Sequence, residues 1–295
     1  MAIIAVYNNK GGVGKSTLSV FLADFFASTR IAKKNARVAV IDLDGQSSSA
    51  TSLLGLHQVA EAKTGKKTIA HMFKNIRAKK RETIAPYLLQ REKGHTVTRR
   101  IPLGELWVMV QERDNAIDLE TDCSQRDCLR LVKLMTSALR KKFDIVFIDT
   151  PANIDKRNKI TLAALRAADH ILIPAESSRM AVNAMTDTFN MIQYARGISD
   201  SGDPRPALAG ILLNKTDRRT RQYQLHNQEL KNLAAQHDTT LFRNYFPTAQ
   251  TLSSAVDDSI YFPTLREKYA TYYDHVRKAA VELAQRCGYT VRKKA

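Results

Sequence analysis

The fold is decided by the stretch Lys10-Gly11-Gly12-Val13-Gly14-Lys15-Ser16-Thr17, which lies close to the amino terminus. An apolar run at 3–7 precedes it and predicts a buried strand. Apolar side chains spaced three and four apart over 16–29 predict a helix. A glycine-rich loop between a strand and a helix is typical of a phosphate-binding loop, because its backbone N–H groups can point at phosphate oxygens. The helix amino terminus adds partial positive charge, so the stretch predicts a nucleotide site.

Individual positions of the loop have separate expected contacts. Lys15 is expected to place its ammonium on the β- and γ-phosphates, and Thr17 to bond the α-phosphate. The Ser16 hydroxyl is a hard oxygen ligand that suits Mg²⁺. Backbone contacts with the phosphates are expected from Gly11, Gly12, Val13 and Gly14. The ordinary pattern, G-x-x-x-x-G-K-[ST], would place glycine at position 9, where this chain has Asn9.

Aspartates end two later apolar runs. Asp42 follows the run at 38–41, Asp44 comes two residues after it, and Asp149 follows the run at 145–148. A carboxylate at the carboxyl end of a parallel strand lies beside the phosphate site. Asp149 is therefore predicted to hold Mg²⁺ through water, as a Walker B carboxylate does. For Asp42 and Asp44 the alternative is a strand-end aspartate that caps the next helix.

Short apolar runs alternate with helical patterns along the whole chain. The predicted strands lie at 3–7, 38–41, 106–110, 145–148, 171–173 and 208–213. The predicted helices include 16–29, 129–141 and one long helix over 264–286. This order indicates an α/β fold, a mostly parallel twisted sheet with helices on both faces, of the P-loop NTPase type. We expect one domain over 1–295, with a basic, partly helical insertion over 57–106 at the edge of the sheet.

The loop resembles the deviant Walker A motif, K-G-G-x-G-K-[ST], of the ParA/MinD ATPases, because a second lysine, Lys10, stands at its start. The resemblance implies ATP hydrolysis with Mg²⁺ and a homodimer in which Lys10 reaches the nucleotide of the partner subunit. It also implies that Asp44 positions or activates the attacking water and that Asp42 supports the Mg²⁺ shell. The family usually has proline where this chain has Gly45, and a second proline where it has Ala152.

A later strand continues the resemblance. It ends at Asn214 and is followed by a turn over 217–220 that is similar to the D-x-R-T turn of the family. The Asn214 amide offers both a donor and an acceptor, so we expect it to contact adenine. By the resemblance, Pro247 packs against the base. The resemblance covers about 1–56 and 143–260, and it leaves 57–106 without a counterpart.

The composition favours a polyanionic partner. The 295 residues include 46 Lys and Arg against 29 Asp and Glu, which gives a net charge of +17. Such an excess attracts nucleic acid or an acidic membrane surface. The three cysteines form no disulfide framework and do not resemble the cluster ligands of the nitrogenase reductases. No apolar run approaches the roughly 18 residues of a membrane span, so we expect a cytoplasmic, nucleoid-associated protein.

Together these features favour a partition ATPase that segregates plasmid or chromosomal DNA. The expected partners are non-specific duplex DNA, a second copy of the chain and a ParB-like activator protein, with no membrane. The expected DNA contacts are Arg218, Arg219, Arg221, Arg243, Arg266 and Lys268. Two alternatives stay open, a ParA-like ATPase that positions a protein assembly and a MinD-like membrane switch. The tail at 287–295 is short and polar for a membrane helix.

Overall fold

A computed structural model describes residues 1–31, 34–91, 105–198, 205–248 and 264–293. Its strands are β1 (Ala2–Val6), β2 (Thr29–Ile31), β3 (Lys34–Asn35), β4 (Val38–Asp42), β5 (Leu89–Gln90), β6 (Leu106–Val110), β7 (Ile145–Asp149), β8 (His170–Ala175), β9 (Ala207–Leu213), β10 (Leu241–Tyr245) and β11 (Val291–Lys293). Its helices are α1 (Lys15–Ala27), α2 (Ser48–Leu54), α3 (Leu56–Thr64), α4 (Ile69–Arg77), α5 (Arg113–Asp122), α6 (Gln125–Arg140), α7 (Lys159–Ala167), α8 (Arg179–Arg196), α9 (Arg221–Gln236), α10 (Leu265–Tyr269) and α11 (Tyr273–Arg286). Two 3₁₀ turns lie at Ala85–Tyr87 and Ala270–Tyr272.

Eight of these strands form one sheet, in the order β10-β9-β8-β1-β7-β4-β6-β5. All neighbours pair in parallel except β5, which pairs antiparallel with β6 at one edge. The six predicted strands are β1, β4, β6, β7, β8 and β9, so the prediction of a mostly parallel sheet is confirmed. Neither β10 nor the small antiparallel sheet of β11, β2 and β3 was predicted from the sequence.

Helices cover both faces of the sheet, as predicted. Alternate side chains of one strand point to opposite faces, so Ile3 packs in one apolar layer and Ile4 in the other. The first layer is formed mainly with α4 to α9, and the second with α1, α2 and α11. Nearly continuous apolar strands are required here because neither face of the sheet meets water.

The register of the central strands brings the predicted site residues to one edge. Val6 is paired with Asp149, and Asp149 is paired with Asp42 across β7 and β4. The phosphate-binding loop follows β1 directly, and α1 begins at Lys15. All of these positions therefore meet at the carboxyl edge of the sheet, around the end of the central strand β1.

The prediction of one long helix over 264–286 is wrong. The chain makes α10, a 3₁₀ turn and then α11, and Ala270 adopts a φ of 43° that a right-handed helix cannot include. The break turns Lys268 and Tyr269 inward, where both side chains bond Asp24 of α1, at 2.6 and 2.7 Å.

Asp24 is the centre of a buried ionic cluster. Arg91, which follows β5, pairs with its second carboxylate oxygen, and Asp24, Lys268 and Arg91 are all almost inaccessible to water. Burial opposes the ionised carboxylate, but the two cations outweigh it and hold the pKa of Asp24 well below its usual range. The cluster ties the helix after the phosphate-binding loop to the segment over 57–106 and to the carboxyl-terminal helices.

Candidate functional site

The phosphate-binding loop adopts a conformation that requires glycine at two positions. Gly12 and Gly14 have φ values of 76° and 89°, in the left-handed region. A Cβ atom at Gly14 would lie 2.2 Å from Nδ2 of Asn214, which itself donates to the carbonyl of Val13 at 2.8 Å. The tight loop and its contact with the end of β9 therefore both depend on the missing side chain.

Two asparagines that the sequence analysis gave no role anchor the start of this loop. Asn8 accepts the backbone N–H of Lys10 at 2.8 Å and donates to the carbonyl of Pro174 at 2.7 Å. The side chain of Asn9 accepts the N–H of Ile154 at 2.8 Å, which explains why glycine is absent at that position. The signal was present, because two successive asparagines in an otherwise apolar strand end need partners for four polar groups.

Lys15 lies inside the loop. Its ammonium donates to the carbonyls of Asn8 and Lys10, at 3.0 and 3.1 Å, and its side chain is almost fully buried. Burial lowers its pKa, while the nearby charges of Asp149 and Asp44 act in the opposite direction. A cation held on loop carbonyls is placed to move a short distance onto phosphate oxygens.

Asp42 and Asp149 are fully buried side by side. Burial and their mutual repulsion raise the pKa of Asp42, and burial raises the pKa of Asp149. Both oxygens of Asp42 are engaged, because they accept the N–H groups of Asp44 at 3.1 Å and of Ala50, in the first turn of α2, at 2.8 Å. Asp42 therefore does cap the next helix, which was the alternative interpretation, and its place in a Mg²⁺ shell stays a prediction.

Asp149 has the opposite pattern. One oxygen accepts a long hydrogen bond of 3.4 Å from Ser19, and the other, Oδ2, is buried with no hydrogen-bond partner among the described residues. An orphaned carboxylate oxygen close to the loop serine fits a hard cation such as Mg²⁺. Among the described residues no three His, Cys, Asp or Glu side chains are grouped to hold a metal. A cation here would take its other ligands from Ser16, phosphate and water, which is the usual preference of Mg²⁺.

Asp44 is half-buried and lines a cavity of about 370 Å³. Its Oδ1 accepts the N–H of Gln46 at 3.0 Å, which fixes the carboxylate at the turn after β4. The next residue explains the departure from proline. A Cβ at Gly45 would lie 2.6 Å from Cβ of Arg113, so glycine lets the start of α5 approach the turn. The cavity continues from Asp44 to Glu120 and Asn158.

The family follows from comparison with known proteins. A family model described as an AAA domain matches residues 1–199 of the chain. The chain belongs to this family, as a ParA/MinD-like ATPase. It is similar to the chromosome partitioning protein ParA of Caulobacter vibrioides, with 26% identity over 258 residues, which covers 86% of this chain and 84% of that protein.

Solved structures show the same fold. A complex of Cyanothece McdA with ATP superposes with a TM-score of 0.71 at 18% identity and covers 98% of this chain and 97% of that one. The structure of pNOB8 ParA bound to nonspecific DNA gives 0.67 at 18% identity and covers 97% and 98%. No helix among the described residues of this ParA/MinD-like ATPase has the length and apolar character needed to cross a membrane.

Lys10 of this ATPase stands at the rim of the loop, apart from Lys15. Its ammonium is 3.4 Å from Oε2 of Glu176, just after β8. The second oxygen of that carboxylate is 3.6 Å from the ammonium of Lys215, which also donates to the carbonyl of Gly12 at 2.6 Å. Neither Glu176 nor Lys215 was singled out by the sequence, because the loop motif says nothing about the residues that β8 and β9 bring beside it.

The two predicted adenine contacts lie beside the loop. Asn214 is buried, and its amide donates a hydrogen bond to the loop carbonyl of Val13. Pro247 is half-buried and follows Phe246, whose carbonyl accepts the N–H of Thr216 next to the end of β9. The structure thus brings both residues to the same edge as the loop, and contact with adenine stays a prediction.

The predicted DNA contacts divide into three groups. The prediction that Lys268 contacts DNA is wrong, because this residue is 3% exposed and its ammonium is paired with Asp24. Arg218 is exposed, but its guanidinium lies 3.9 Å from the ring centre of Tyr245 and donates to the carbonyl of Arg243 at 2.9 Å. Arg219 is paired with Asp217 at 2.8 Å. Exposed positions are also occupied by Arg221, Arg243 and Arg266.

Three further cations join Arg243 on one surface, which we name the α11 basic surface. It surrounds a hollow of about 440 Å³ whose cationic lining residues are Arg243, Arg277, Lys278 and Arg286. Arg286 has a structural role, because its guanidinium donates to the carbonyls of Ala209 and Leu241 and pairs with Glu282. Arg277 is paired with Asp274 at 3.3 Å. Arg243 and Lys278 have no ion pair among the described residues and are available to an anion, and the position of α11 beside β10 was not predictable from charge alone.

Proposed function

We propose that this ATPase is a partition protein whose ATP- and Mg²⁺-bound form is a face-to-face dimer on non-specific duplex DNA. Hydrolysis separates the subunits and releases the DNA, and a ParB-like partner stimulates that step. The cycle takes place in the cytoplasm on nucleoid DNA and moves a plasmid or chromosomal cargo. The observation that carries the proposal is the separation of the two loop lysines, with Lys15 turned into its own loop and Lys10 at the exposed rim.

The separation supports two different roles. Lys15 is buried and bonded to the carbonyls of its own loop, so it serves the nucleotide of its own subunit. Among the described residues, the side chain of Lys10 makes one ion pair, of 3.4 Å, and its backbone N–H is fixed by Asn8. Its long side chain can therefore swing to a neighbouring subunit without rearrangement of the loop.

Asp44 is the carboxylate that suits a role in hydrolysis. Asp42 is fully engaged by backbone N–H groups, and Oδ2 of Asp149 is buried without a hydrogen-bond partner among the described residues, which suits a cation ligand. Asp44 alone is half-buried, fixed at one oxygen and open to the adjoining cavity, so it is placed to orient a water molecule. A bound Mg²⁺ would supply charge neutralisation on the phosphates, held through Ser16 and Asp149.

The α11 basic surface supports DNA contact through phosphate charge. Its cations come from β10 and α11. The guanidinium of Arg218 lies 3.9 Å from the ring centre of Tyr245, whose ring meets that of His275 edge-on at 5.5 Å, and these contacts hold the neighbouring turn against the surface. Such contacts bind any sequence, and their strength falls steeply with salt. Two copies of the surface on one dimer would bind together more tightly than either alone.

The test is binding to non-specific duplex DNA with ATP, with ADP and without nucleotide, across a salt series. Asp44→Ala keeps the ATP state from turning over. We expect tight, salt-sensitive binding with ATP only, and a loss of that binding in Lys10→Ala. Arg243→Ala with Lys278→Ala should reduce the logarithmic salt slope by about 2, since each lost phosphate contact removes about 0.9.

The matched control is Arg126→Ala with Arg130→Ala, which removes the same charge from α6 on the opposite face of the sheet. This pair should leave the slope nearly unchanged. Binding that ignores the nucleotide would separate the ATPase from DNA control. Absence of DNA binding in every state would reject the partition function and favour the MinD-like membrane switch.

A further inference from the structure

The rim of the nucleotide site carries three lysines and one carboxylate. Lys10 and Lys15 belong to the loop, and Lys215 reaches the loop from the end of β9. Glu176 lies between the outer two, 3.4 Å from the ammonium of Lys10 and 3.6 Å from that of Lys215. The buried Lys15 has no contact with Glu176 among the described hydrogen bonds and ion pairs, so this carboxylate acts only on the exposed rim.

Glu176 is poorly suited to nucleotide contact. Its negative charge would repel the phosphates that the surrounding lysines attract, so its presence needs another reason. The Glu176 carboxylate instead pairs with the ammonium of Lys10 and so holds the Lys10 side chain over its own subunit. The side chains of Lys10 and Glu176 are 20% and 25% exposed, so water screens their attraction only in part.

We propose that Glu176 is a positioning residue that keeps Lys10 on its own subunit and thereby opposes formation of the ATP-bound dimer. The inference rests on the proposed role of Lys10 across the subunit interface. For Lys10 to reach the partner nucleotide, the Lys10–Glu176 pair must break, and Lys215 remains as the counter-charge for the released carboxylate. The pair therefore lowers the fraction of subunits that are ready to dimerise.

The size of the effect follows from the number of pairs. A partly screened ion pair of this kind reduces the ready fraction by about 2- to 5-fold. Each dimer uses two subunits, so two pairs must break and the dimer dissociation constant changes by the square, about 4- to 25-fold. A change of this size is measurable, and it needs no new contact in the dimer.

The test measures the dimer dissociation constant by sedimentation velocity with saturating AMP-PNP and Mg²⁺. Glu176→Gln keeps the size and the acceptor oxygen but removes the charge, and it should tighten the dimer by about 4- to 25-fold. Glu61→Gln makes the same change in net charge on the exposed α3 and should have no effect. AMP-PNP binding to the subunit is measured separately, so that a general electrostatic gain in nucleotide affinity is recognised.

The double variant Lys10→Ala with Glu176→Gln decides whether the effect acts through Lys10. In a Lys10→Ala background the substitution at 176 should leave the dissociation constant unchanged, whereas a purely structural role would persist. An unchanged or weaker dimer in Glu176→Gln would overturn the inference, as would an equal gain in the Lys10→Ala background. If Lys10→Ala by itself dimerises like the wild type, the proposed cross-subunit role has failed first, and the two failures are thereby distinguished.

Discussion

Lys268 and Arg266 are two residues apart on the same short helix, and the structure assigns them opposite roles. Lys268 is buried in the Asp24 cluster, whereas Arg266 is exposed, with its guanidinium 5.3 Å from the ring centre of Tyr273. Replacement of each by Met removes the same charge and keeps much of the same length. The pair therefore separates a structural cation from a candidate DNA contact within one turn of helix.

The expected magnitudes follow from the partners that remain. Asp24 has three donors, namely Arg91, Lys268 and the hydroxyl of Tyr269. Lys268→Met removes one charge-assisted hydrogen bond, worth about 1.5–3 kcal/mol, but it also removes the burial cost that lowers the pKa of the lysine. We expect a net loss of about 1–2 kcal/mol. Arg266→Met loses at most about 1 kcal/mol, the value of an exposed cation–π contact.

Asp24→Asn is the decisive third variant. It leaves two buried cations with no anion between them, which is the situation that costs about 3–5 kcal/mol. The assay is urea unfolding of the nucleotide-free protein at pH 7, read as the free energy of unfolding at constant slope. DNA binding is measured on the same proteins below the onset of unfolding.

The expected order of destabilisation is Asp24→Asn, then Lys268→Met, then Arg266→Met, while only Arg266→Met weakens DNA binding. The burial argument is refuted if Lys268→Met unfolds like the wild type and weakens DNA binding as Arg266→Met does. It is also refuted if Asp24→Asn costs less than Lys268→Met, because the carboxylate would then not be the centre of the cluster.

Three further predictions concern the nucleotide edge. Gly14→Ala should abolish nucleotide binding in a titration with a fluorescent ATP analogue, since its Cβ would lie 2.2 Å from the Asn214 amide at a φ of 89°, and near-normal affinity would contradict this. Because the buried pair raises the pKa of Asp42 and Asp149, the metal-free folded protein holds protons that the unfolded chain releases above about pH 4. Its urea midpoint should therefore fall as the pH rises from 5 to 8, and Asp42→Asn should flatten that fall, whereas an unchanged pH profile would show that the pair does not repel. Gly45→Ala should cost about 1–3 kcal/mol in the same unfolding assay because of the 2.6 Å approach to Arg113. Arg113→Gly should restore most of the loss, and failure to do so would place the strain elsewhere.

The parallel sheet and its edge were predictable because their signals are local. A glycine-rich loop between an apolar strand and a helix, and aspartates at the ends of two apolar runs, fix which edge carries the site. The register then places Asp42 opposite Asp149, as parallel pairing of two such strands requires. β10 was missed because Arg243 and Asn244 interrupt its apolar pattern. Glu282 on α11 accepts the backbone N–H groups of both residues, and the sequence around β10 does not show this contact.

Side-chain roles that depend on distant residues were not predictable. Lys268 lies in a basic helical pattern, and nothing near it in the sequence shows that Asp24, 244 residues away, requires a buried cation. Arg218 is part of a basic turn, but Tyr245 of β10 decides that its guanidinium stacks. Net charge counts cations without regard to partners, so it indicates a polyanionic ligand and not which residues contact it.

The nucleotide site combines two unfavourable groupings of like charge. Asp42 and Asp149 lie side by side in the interior, and the lysines at positions 10, 15 and 215 crowd one loop, where Glu176 pairs with Lys10 and Lys215. Both groupings would be relieved by one ligand that carries phosphate oxygens toward the lysines and a divalent cation toward Asp149. Relief of this repulsion therefore favours binding of the two ligands together. It follows that Mg²⁺ and ATP together should raise the melting temperature by more than the sum of their separate effects. A merely additive shift would show that the two groupings are independent.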